Sequence, residues 1–104
     1  MTAYLIVRAE MVEPQTRDRF DTWYQNEHLP DAVETFAAIR AWRGWSDVDP
    51  NVHYAFYEFP DLDTVKRVAA SEGIKTLIAE FDRLWGTRVT RTRDIVERCH
   101  AIDP

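Results

Sequence analysis

The sequence predicts an α+β fold of the ferredoxin-like type, with the element order strand, helix, strand, strand, helix, strand. Four segments rich in β-branched and aromatic residues are interspersed with two long segments whose apolar residues recur at helical spacing. A turn signal at residues 47–51, which contain two aspartates, a proline and an asparagine, joins the second and third strands as a hairpin. Together these observations predict a four-stranded antiparallel sheet with helices on one face.

The strands are predicted from runs of Val, Ile, Tyr, Phe and Trp that are bounded by turn residues. They cover residues 3–11, 38–45, 52–59 and 87–96. In the first and third strands apolar side chains point to both faces, so both faces of the sheet should be covered. Two helices cover only one face, and an identical subunit is the simplest cover for the other. We therefore expect a homodimer that forms through the open sheet face.

Proline and glycine set the limits of the two helical regions. The first helix is predicted to run to about His28, because Pro30 cannot donate a backbone hydrogen bond and disfavours helical angles in the residue before it. Residues 31–36 then form one or two further helical turns. The second helical region is interrupted at residues 71–73 and ends at Gly86.

Length, charge and cysteine content exclude several classes of function. The 104 residues suffice for one domain, which we place at residues 1–104. The formal net charge of −5 argues against a nucleic-acid or membrane-surface partner, because both need a cationic face. Cys99 is the only cysteine, so an intrachain disulfide and a cysteine-based zinc site are excluded. No signal peptide or membrane-spanning run is recognisable, and a cytoplasmic location is expected.

Cofactor sites have little support in the sequence. The three histidines lack the i, i+4 or i, i+2 spacing of paired metal ligands. The chain also lacks a G-x-G-x-x-G motif and a phosphate-binding loop. We therefore expect no metal ion and no organic cofactor.

The segment 20–30 holds the strongest candidates for chemistry. In a helix, Phe20, Tyr24 and His28 follow one another at i, i+4 and i+8 and share one face. An imidazole titrates near neutral pH and can act as a general acid or base, while the hydroxyl of Tyr24 can hydrogen-bond a substrate oxygen. Alternatively, His28 caps the helix by hydrogen-bonding a carbonyl that Pro30 leaves free.

Two arginines of the last predicted strand, Arg91 and Arg93, point to the same side because they are two residues apart. Together they could hold a carboxylate or an enolate oxygen in a pocket. They could equally pair with the acidic side chains of a negatively charged protein. The ion-pair interpretation is preferred.

The pattern Trp23-Tyr24-x-x-Glu27-His28-x-Pro30, together with the element order, resembles the dimeric α+β barrel superfamily and, within it, the EthD-like group. That superfamily includes cofactor-free monooxygenases, polyketide cyclases, lactone isomerases, haem-binding enzymes and members without an assigned activity. The resemblance implies a homodimeric barrel and a pocket between the helices and the sheet, with His28 facing into the pocket.

We expect a small cofactor-independent enzyme, such as a cyclase, isomerase or monooxygenase, that transfers a proton on an apolar, oxygen-bearing substrate of polyketide-like or aromatic character. The alternative is a non-catalytic ligand-binding or stress-associated dimer with a vestigial pocket. The expected catalytic residues are His28 and Tyr24. The expected substrate-binding residues are Phe20, Trp23, Arg40, Trp42, His53 and Tyr57.

Two alternatives stay open on the second and third strands. Either Arg40 and Trp42 or Arg43 and Trp45 face the helices, because the two pairs lie on opposite faces of one strand. His53 either supplies a second polar group opposite the first histidine or is an ordinary strand residue whose ring is hydrated or hydrogen-bonded. The second interpretation is preferred.

Overall fold

Four strands and four α-helices make up the computed structural model, which describes residues 1–103; Pro104 lies outside the described residues. The elements in chain order are β1 (Ala3–Met11), α1 (Arg17–Trp23), α2 (Leu29–Phe36), β2 (Arg40–Trp45), β3 (Val52–Phe59), α3 (Leu62–Ala69), α4 (Glu72–Trp85) and β4 (Val89–Glu97). A π-helical turn, Tyr24–His28, connects α1 to α2. No α-helix among these residues has the length and apolar character needed to cross a lipid bilayer.

The four strands form one antiparallel sheet in the order β2-β3-β1-β4. In this register Leu5 of β1 lies between Tyr57 of β3 and Ile95 of β4. Because side chains alternate along a strand, odd-numbered residues of β1 point to the helices and even-numbered residues point away from them. The α+β ferredoxin-like fold with a four-stranded antiparallel sheet is therefore confirmed.

The core between the helices and the sheet is rich in aromatic rings. Phe20 of α1 is fully buried, and its ring centroid lies 5.9 Å from that of Phe81 and 5.3 Å from that of Trp85, both on α4. Both pairs have the edge-to-face orientation that aromatic quadrupoles favour, and such pairs contribute roughly 1 kcal/mol each beyond the burial of their area. These contacts fix α1 against α4.

The chain stays helical through Pro30, where the sequence predicted a break. Leu29 has helical backbone angles (φ −62°, ψ −47°), and its N–H donates to the carbonyl of Tyr24, five residues earlier. This wider turn makes room for the Pro30 ring, which would clash with the carbonyl of Asn26 in a regular α-helix. Tyr24 and His28 both belong to this π-helical turn, an irregularity that is frequent at functional sites.

Polar caps account for the predicted interruption between the third and fourth helices. The side chain of Asp61 accepts a hydrogen bond from the Thr64 N–H at 2.8 Å and so caps α3. The hydroxyl oxygen of Ser71 accepts one from the Ile74 N–H at 3.2 Å and so caps α4. Each cap satisfies a backbone donor that the first helical turn leaves free.

Two strands begin later than predicted. Gly86 has a positive φ of 50° at the end of α4, and a 3-10 turn at Gly86–Arg88 delays β4 until Val89. The second strand, predicted from residue 38, begins at Arg40. Both differences lie at element ends, where backbone hydrogen bonding rather than composition sets the limit.

The sheet face turned away from the helices carries a patch of aromatic and aliphatic side chains. Trp42 of β2 is 50% exposed and stacks on Phe56 of β3, with ring centroids 3.9 Å apart. Ile6, Tyr54 and Val96 share this face, and we call these five residues the open-face patch. Within residues 1–103 no helix covers it.

Gly73, in the first turn of α4, allows α2 to approach closely. A Cβ at this position would lie 2.6 Å from Cγ2 of Thr35 on α2. We therefore expect G73A to lower the free energy of unfolding by about 1 kcal/mol or more, although alanine is the better helix former. T35A removes the obstructing methyl group. The free energy of unfolding of G73A/T35A should therefore exceed, by at least about 1 kcal/mol, the value expected from adding the two single effects. Urea unfolding of the four proteins measures this coupling, and additive effects would contradict the packing described.

Candidate functional site

A small cavity lies between the sheet and helices α2 and α4. Its volume is about 30 Å³, room for roughly two water molecules, whereas most small-molecule sites enclose roughly 300 Å³ or more. The apolar wall is formed mainly by Leu5, Val7, Phe36, Ile74, Leu77 and Phe81. The polar residues that line the cavity are His28, Tyr57, Arg91 and Arg93.

The imidazole of His28 stands among three aromatic rings. It stacks on Trp23 at a centroid distance of 4.6 Å and meets the edge of Tyr24 at 4.7 Å, while Phe81 lies 5.9 Å away. Its Nδ1 atom is buried and has no hydrogen-bond partner within residues 1–103. This nitrogen therefore does not cap a helix carbonyl, in contrast to the alternative that the sequence left open.

Burial lowers the pKa of His28 from 6.5 to about 4, and the positive charge of Arg91 adds to this effect. The imidazole is therefore neutral near neutral pH. A neutral imidazole has a free nitrogen lone pair, so it can accept a proton from a molecule in the cavity.

The hydroxyl groups of Tyr24 and Tyr57 form a buried pair, with their oxygen atoms 3.0 Å apart. Burial raises the pKa of Tyr24 well above its ordinary range and that of Tyr57 to about 12. Both hydroxyls therefore keep their protons at neutral pH. If Tyr24 donates to Tyr57, the proton of Tyr57 is free for a group in the cavity, because each hydroxyl has a single donor.

Behind Tyr24 lies a second polar cluster, which contains His53. An Arg43 guanidinium nitrogen donates to Nε2 of His53 at 3.3 Å and to the carboxylate of Asp21 at 2.8 Å. Because a guanidinium only donates, Nε2 accepts and the proton of the neutral ring is on Nδ1. Burial, helped by Arg43, lowers the pKa of His53 to about 4. Asp21 also accepts from the indole of Trp45 at 2.8 Å, which completes the cluster.

Arg91 and Arg93 lie on β4 and line the cavity from its open edge. The Arg91 guanidinium lies 4.1 Å over the Phe81 ring and pairs with Asp82 at 3.3 Å. The side chain of Arg91 is only 16% exposed, whereas Asp82 is 64% exposed. The preferred ion-pair interpretation therefore holds for Arg91. The pair is weak, because water solvates the carboxylate of Asp82.

The structure brings some of the predicted site residues together and separates others. His28 and Tyr57 line the cavity, while Tyr24 lies directly behind Tyr57. Phe20 is fully buried in the core, and Trp23 packs on the imidazole rather than forming a cavity wall. Apolar residues of α4, among them Ile74, Leu77 and Phe81, form the cavity wall instead.

The placement of Arg40, Trp42 and His53 requires correction. Arg40 and Trp42 lie on the sheet face opposite the cavity, so the expectation that they line it is wrong; Arg43 is the strand residue that faces the helices. His53 is 1% exposed and accepts a hydrogen bond from Arg43 at 3.3 Å, so the preferred interpretation holds in its hydrogen-bonded form, and this residue does not line the cavity. Its ring packs 4.6 Å from Tyr24, one layer away from the cavity.

Arg91 and Arg93 were not among the site residues predicted from the sequence. The signal that identifies them is the alternation along β4, because Val89 is buried on the same face two residues earlier. As for metals, no group of three His, Cys, Asp or Glu side chains within the described chain could hold an ion.

His28, which is half-buried, and His53, which is buried, predict a loss of stability at acid pH. In the unfolded chain a histidine takes up its proton near 6.5, whereas His28 resists protonation down to about 4, a difference worth roughly 3 kcal/mol. Between pH 6.5 and about pH 4 the unfolded state binds more protons than the folded state. The contribution of His28 to the free energy of unfolding is therefore fully present above pH 6.5 and is lost as the pH decreases toward 4. Urea unfolding across this pH range should show a shallower decrease for H28Q than for the parent protein. H100Q, which changes an exposed tail histidine, is the matched control, and equal slopes for H28Q and H100Q would contradict the burial of His28.

No protein-family model matches the sequence, and no curated protein matches it. Solved structures, in contrast, match along almost the whole chain. An EthD family protein from Bacillus halodurans superimposes with a TM-score of 0.72 at 17% identity, over 94% of this chain and 99% of that chain. A variant of SnoaB, a cofactor-independent oxygenase from Streptomyces nogalater, has a TM-score of 0.68 at 13% identity, over 99% and 98% of the two chains.

A candidate antibiotic biosynthesis monooxygenase from Deinococcus radiodurans has a TM-score of 0.70 at 11% identity, over 97% of each chain. At such identities the similarity is one of fold. The resemblance predicted from the aromatic and histidine pattern is confirmed at this level: the chain has the fold of the dimeric α+β barrel proteins, the group that includes EthD and antibiotic biosynthesis monooxygenase proteins.

Proposed function

We propose that the protein is a small cofactor-independent enzyme that transfers a proton on an apolar, oxygen-bearing small molecule. The observation that carries this proposal is a neutral imidazole, His28, in a mainly apolar cavity that also contains the hydroxyl-bearing Tyr57. A base and a hydrogen-bond donor in one apolar cavity are what removal of a proton next to a carbonyl requires. The similarity to SnoaB, which is a cofactor-independent oxygenase, supports chemistry without a cofactor.

In the proposed reaction His28 accepts the proton of a C–H bond next to a ligand carbonyl. The electron pair of that bond forms a carbon–carbon double bond, the π pair of the carbonyl moves to its oxygen, and an enolate results. Tyr57 donates a hydrogen bond to the enolate oxygen while it accepts one from Tyr24, and Arg91 stabilises the negative charge. The imidazolium then returns the proton to the same carbon or to another atom, which regenerates the protein and, in the second case, isomerises the ligand.

The low pKa of His28 is compatible with this role. Toward a neutral ligand the imidazole is a weak base, because burial and Arg91 disfavour its charged form. As an enolate forms beside it, the new negative charge favours the imidazolium, and this attraction is strong in an apolar cavity. The basicity of His28 therefore increases along the reaction, when it is needed.

The cavity volume favours a second candidate function, a binding protein with a vestigial pocket. About 30 Å³ does not hold an aromatic ring system. A ring enters only if side chains of the α4 wall, such as Ile74 and Phe81, move outward. The two functions differ in the behaviour of His28, because only the enzyme requires this imidazole for turnover.

Hydrogen–deuterium exchange of 2-tetralone, an apolar aryl ketone with an acidic C–H next to its carbonyl, tests the proposal. We expect the protein to accelerate the exchange, and we expect H28A to reduce that acceleration about 100-fold or more, because general bases contribute on this scale. Y57F should reduce it about tenfold through loss of the donor to the enolate. Proton NMR in D₂O follows the reaction.

H100A serves as the control for the loss of a histidine that is not in the cavity and should exchange 2-tetralone at the parent rate. An H28A protein that retains the full rate would contradict the assignment of the base. A parent protein that is no faster than free imidazole at equal concentration, yet binds 2-tetralone, would favour the binding protein.

We also propose that the protein is a homodimer in which the open-face patch of one subunit packs on that of another. An exposed aromatic stack such as Trp42 on Phe56 is unusual at a permanently solvated surface. A two-fold axis places the same patch on both sides of the interface, so an apolar patch is complementary to itself. The dimeric fold group to which the structural neighbours belong supports this arrangement.

Introducing a charge into the patch tests the dimer. W42E should weaken self-association about 100-fold or more, because the carboxylate would lie unpaired in an apolar interface. V48E, which adds the same charge to a turn residue that is 96% exposed, should have no effect. Sedimentation velocity distinguishes the species, and a parent protein that sediments as a 12.2 kDa particle at about 100 µM, where permanent dimers persist, would contradict the proposal.

A further inference from the structure

We infer that the cavity, widened by outward movement of α4 side chains such as Ile74 and Phe81, takes an organic anion, a flat apolar molecule whose carboxylate or phenolate oxygen is held by Arg91 and Arg93. This inference deepens the proposed function and rests on it, since it names the substrate class of the same cavity. It follows from the charges around the cavity, from the positions of the two guanidiniums and from the apolar wall that faces them.

The cavity is lined by two positive charges and by no carboxylate among residues 1–103. The other polar groups on its walls, His28 and Tyr57, are neutral near neutral pH. This is unexpected for a protein with a net charge of −5, in which acidic side chains outnumber basic ones. The positive charge is therefore a local property of the cavity and attracts an anion to it.

The two guanidiniums lie on one edge of the cavity because β4 places them there. Arg91 is paired in the sheet with Ala9, and Arg93 with Val7, so both side chains project on the helix side of the sheet, two residues apart. Arg91 is nearly buried, whereas Arg93, which also lines the cavity, is exposed. A planar guanidinium binds a carboxylate through two parallel hydrogen bonds, and two guanidiniums at one opening suit a single anionic group.

The charges of these arginines are only partly compensated by the protein itself. Arg91 has one ion pair, to the well-exposed carboxylate of Asp82. Arg93 forms no ion pair within the described part of the chain, and Asp94, the next residue, points to the other face of the sheet. Arg43 provides the contrast, because the same kind of side chain is compensated by Asp21 at 2.8 Å and has two further hydrogen-bond partners.

The rest of the ligand should be apolar and flat. Ile74, Leu77 and Phe81 present aliphatic and aromatic surfaces at successive turns of α4, opposite the aliphatic side chains of β1. This wall offers no hydrogen-bond donors or acceptors from its side chains, so a polyhydroxylated ligand such as a sugar would lose its hydration without compensation. An aromatic carboxylate or a phenolic ketone matches the positive charge of the arginines and the apolar character of the wall.

A matched pair of probes tests the inference, with 2-naphthoate as the anion and 2-naphthamide as its neutral isostere. Binding is measured by ¹H–¹⁵N NMR titration of the full chain. We expect 2-naphthoate to bind at least about tenfold more tightly than 2-naphthamide, because only the anion gains charge-assisted hydrogen bonds. R93Q, at an exposed position that the fold tolerates, should weaken 2-naphthoate about fivefold or more, and R91Q/R93Q should remove the preference over 2-naphthamide.

R83Q, which removes the same charge from an exposed position on α4 outside the cavity, is the control and should leave both affinities unchanged. Exchange of 2-tetralone and binding of 2-naphthoate are both measured on the parent protein. Preferential binding of 2-naphthoate without acceleration of exchange would overturn the proposed reaction and leave the anion site standing. Equal binding of the two probes, no saturable binding of 2-naphthoate, or an R83Q effect as large as that of R93Q would overturn the inference.

Discussion

Phe20 lies where α1, α4 and the strands β2 and β3 meet, and the burial of its ring depends on all four elements. Its centroid is 6.1 Å from that of Trp45, 5.2 Å from His53 and 5.3 Å from Trp85. The position of α1 over the sheet is set by these contacts. Tyr24 and then the cavity imidazole lie farther along the same helical face, so their positions depend on this packing. A shift of α1 would move the candidate base and the tyrosine pair together.

The interior contains two polar regions, which differ in how far their charges are compensated. Around His53, the guanidinium of Arg43 is compensated by Asp21 and enclosed by hydrogen bonds, so this region has the character of a structural cluster. Around the cavity, the charges of Arg91 and Arg93 are poorly compensated, and the neighbouring imidazole is held neutral. Of the two arginines, Arg91 is nearly buried; incompletely compensated buried charge is costly, and an anion bound as proposed would relieve this cost. The tyrosine pair separates the two regions.

One face of the sheet borders the core and the cavity, and the other carries the open-face patch. Odd-numbered residues of β1 contribute to the core and the cavity, while its even-numbered residues lie on the opposite face, where Ile6 belongs to the open-face patch. The same alternation on β4 places Arg93 at the cavity and Val96 on the opposite face. The proposed dimer interface and the cavity therefore lie on opposite faces of the same sheet.

The sequence by itself determined the order of the elements, the antiparallel sheet, the apolar faces and the common stripe of Phe20, Tyr24 and His28. These features follow from periodicity and turn chemistry, which are local properties of the chain. Only the tertiary structure decided which face of β2 meets the helices, since alternation defines two faces but does not say which of them is covered. This is why Arg40 and Trp42 were expected at the cavity.

The π-helical turn at Pro30 and the burial of His53 likewise depended on tertiary packing. A proline disfavours a regular helix, but the packing of α1 and α2 against the sheet keeps the chain helical by widening one turn. The small cavity, its wall on α4 and its two arginines arise from side chains that are far apart in the sequence. Local sequence patterns determine which secondary structure each segment forms. The chemistry of the cavity, in contrast, is determined by how the segments pack together in the tertiary structure.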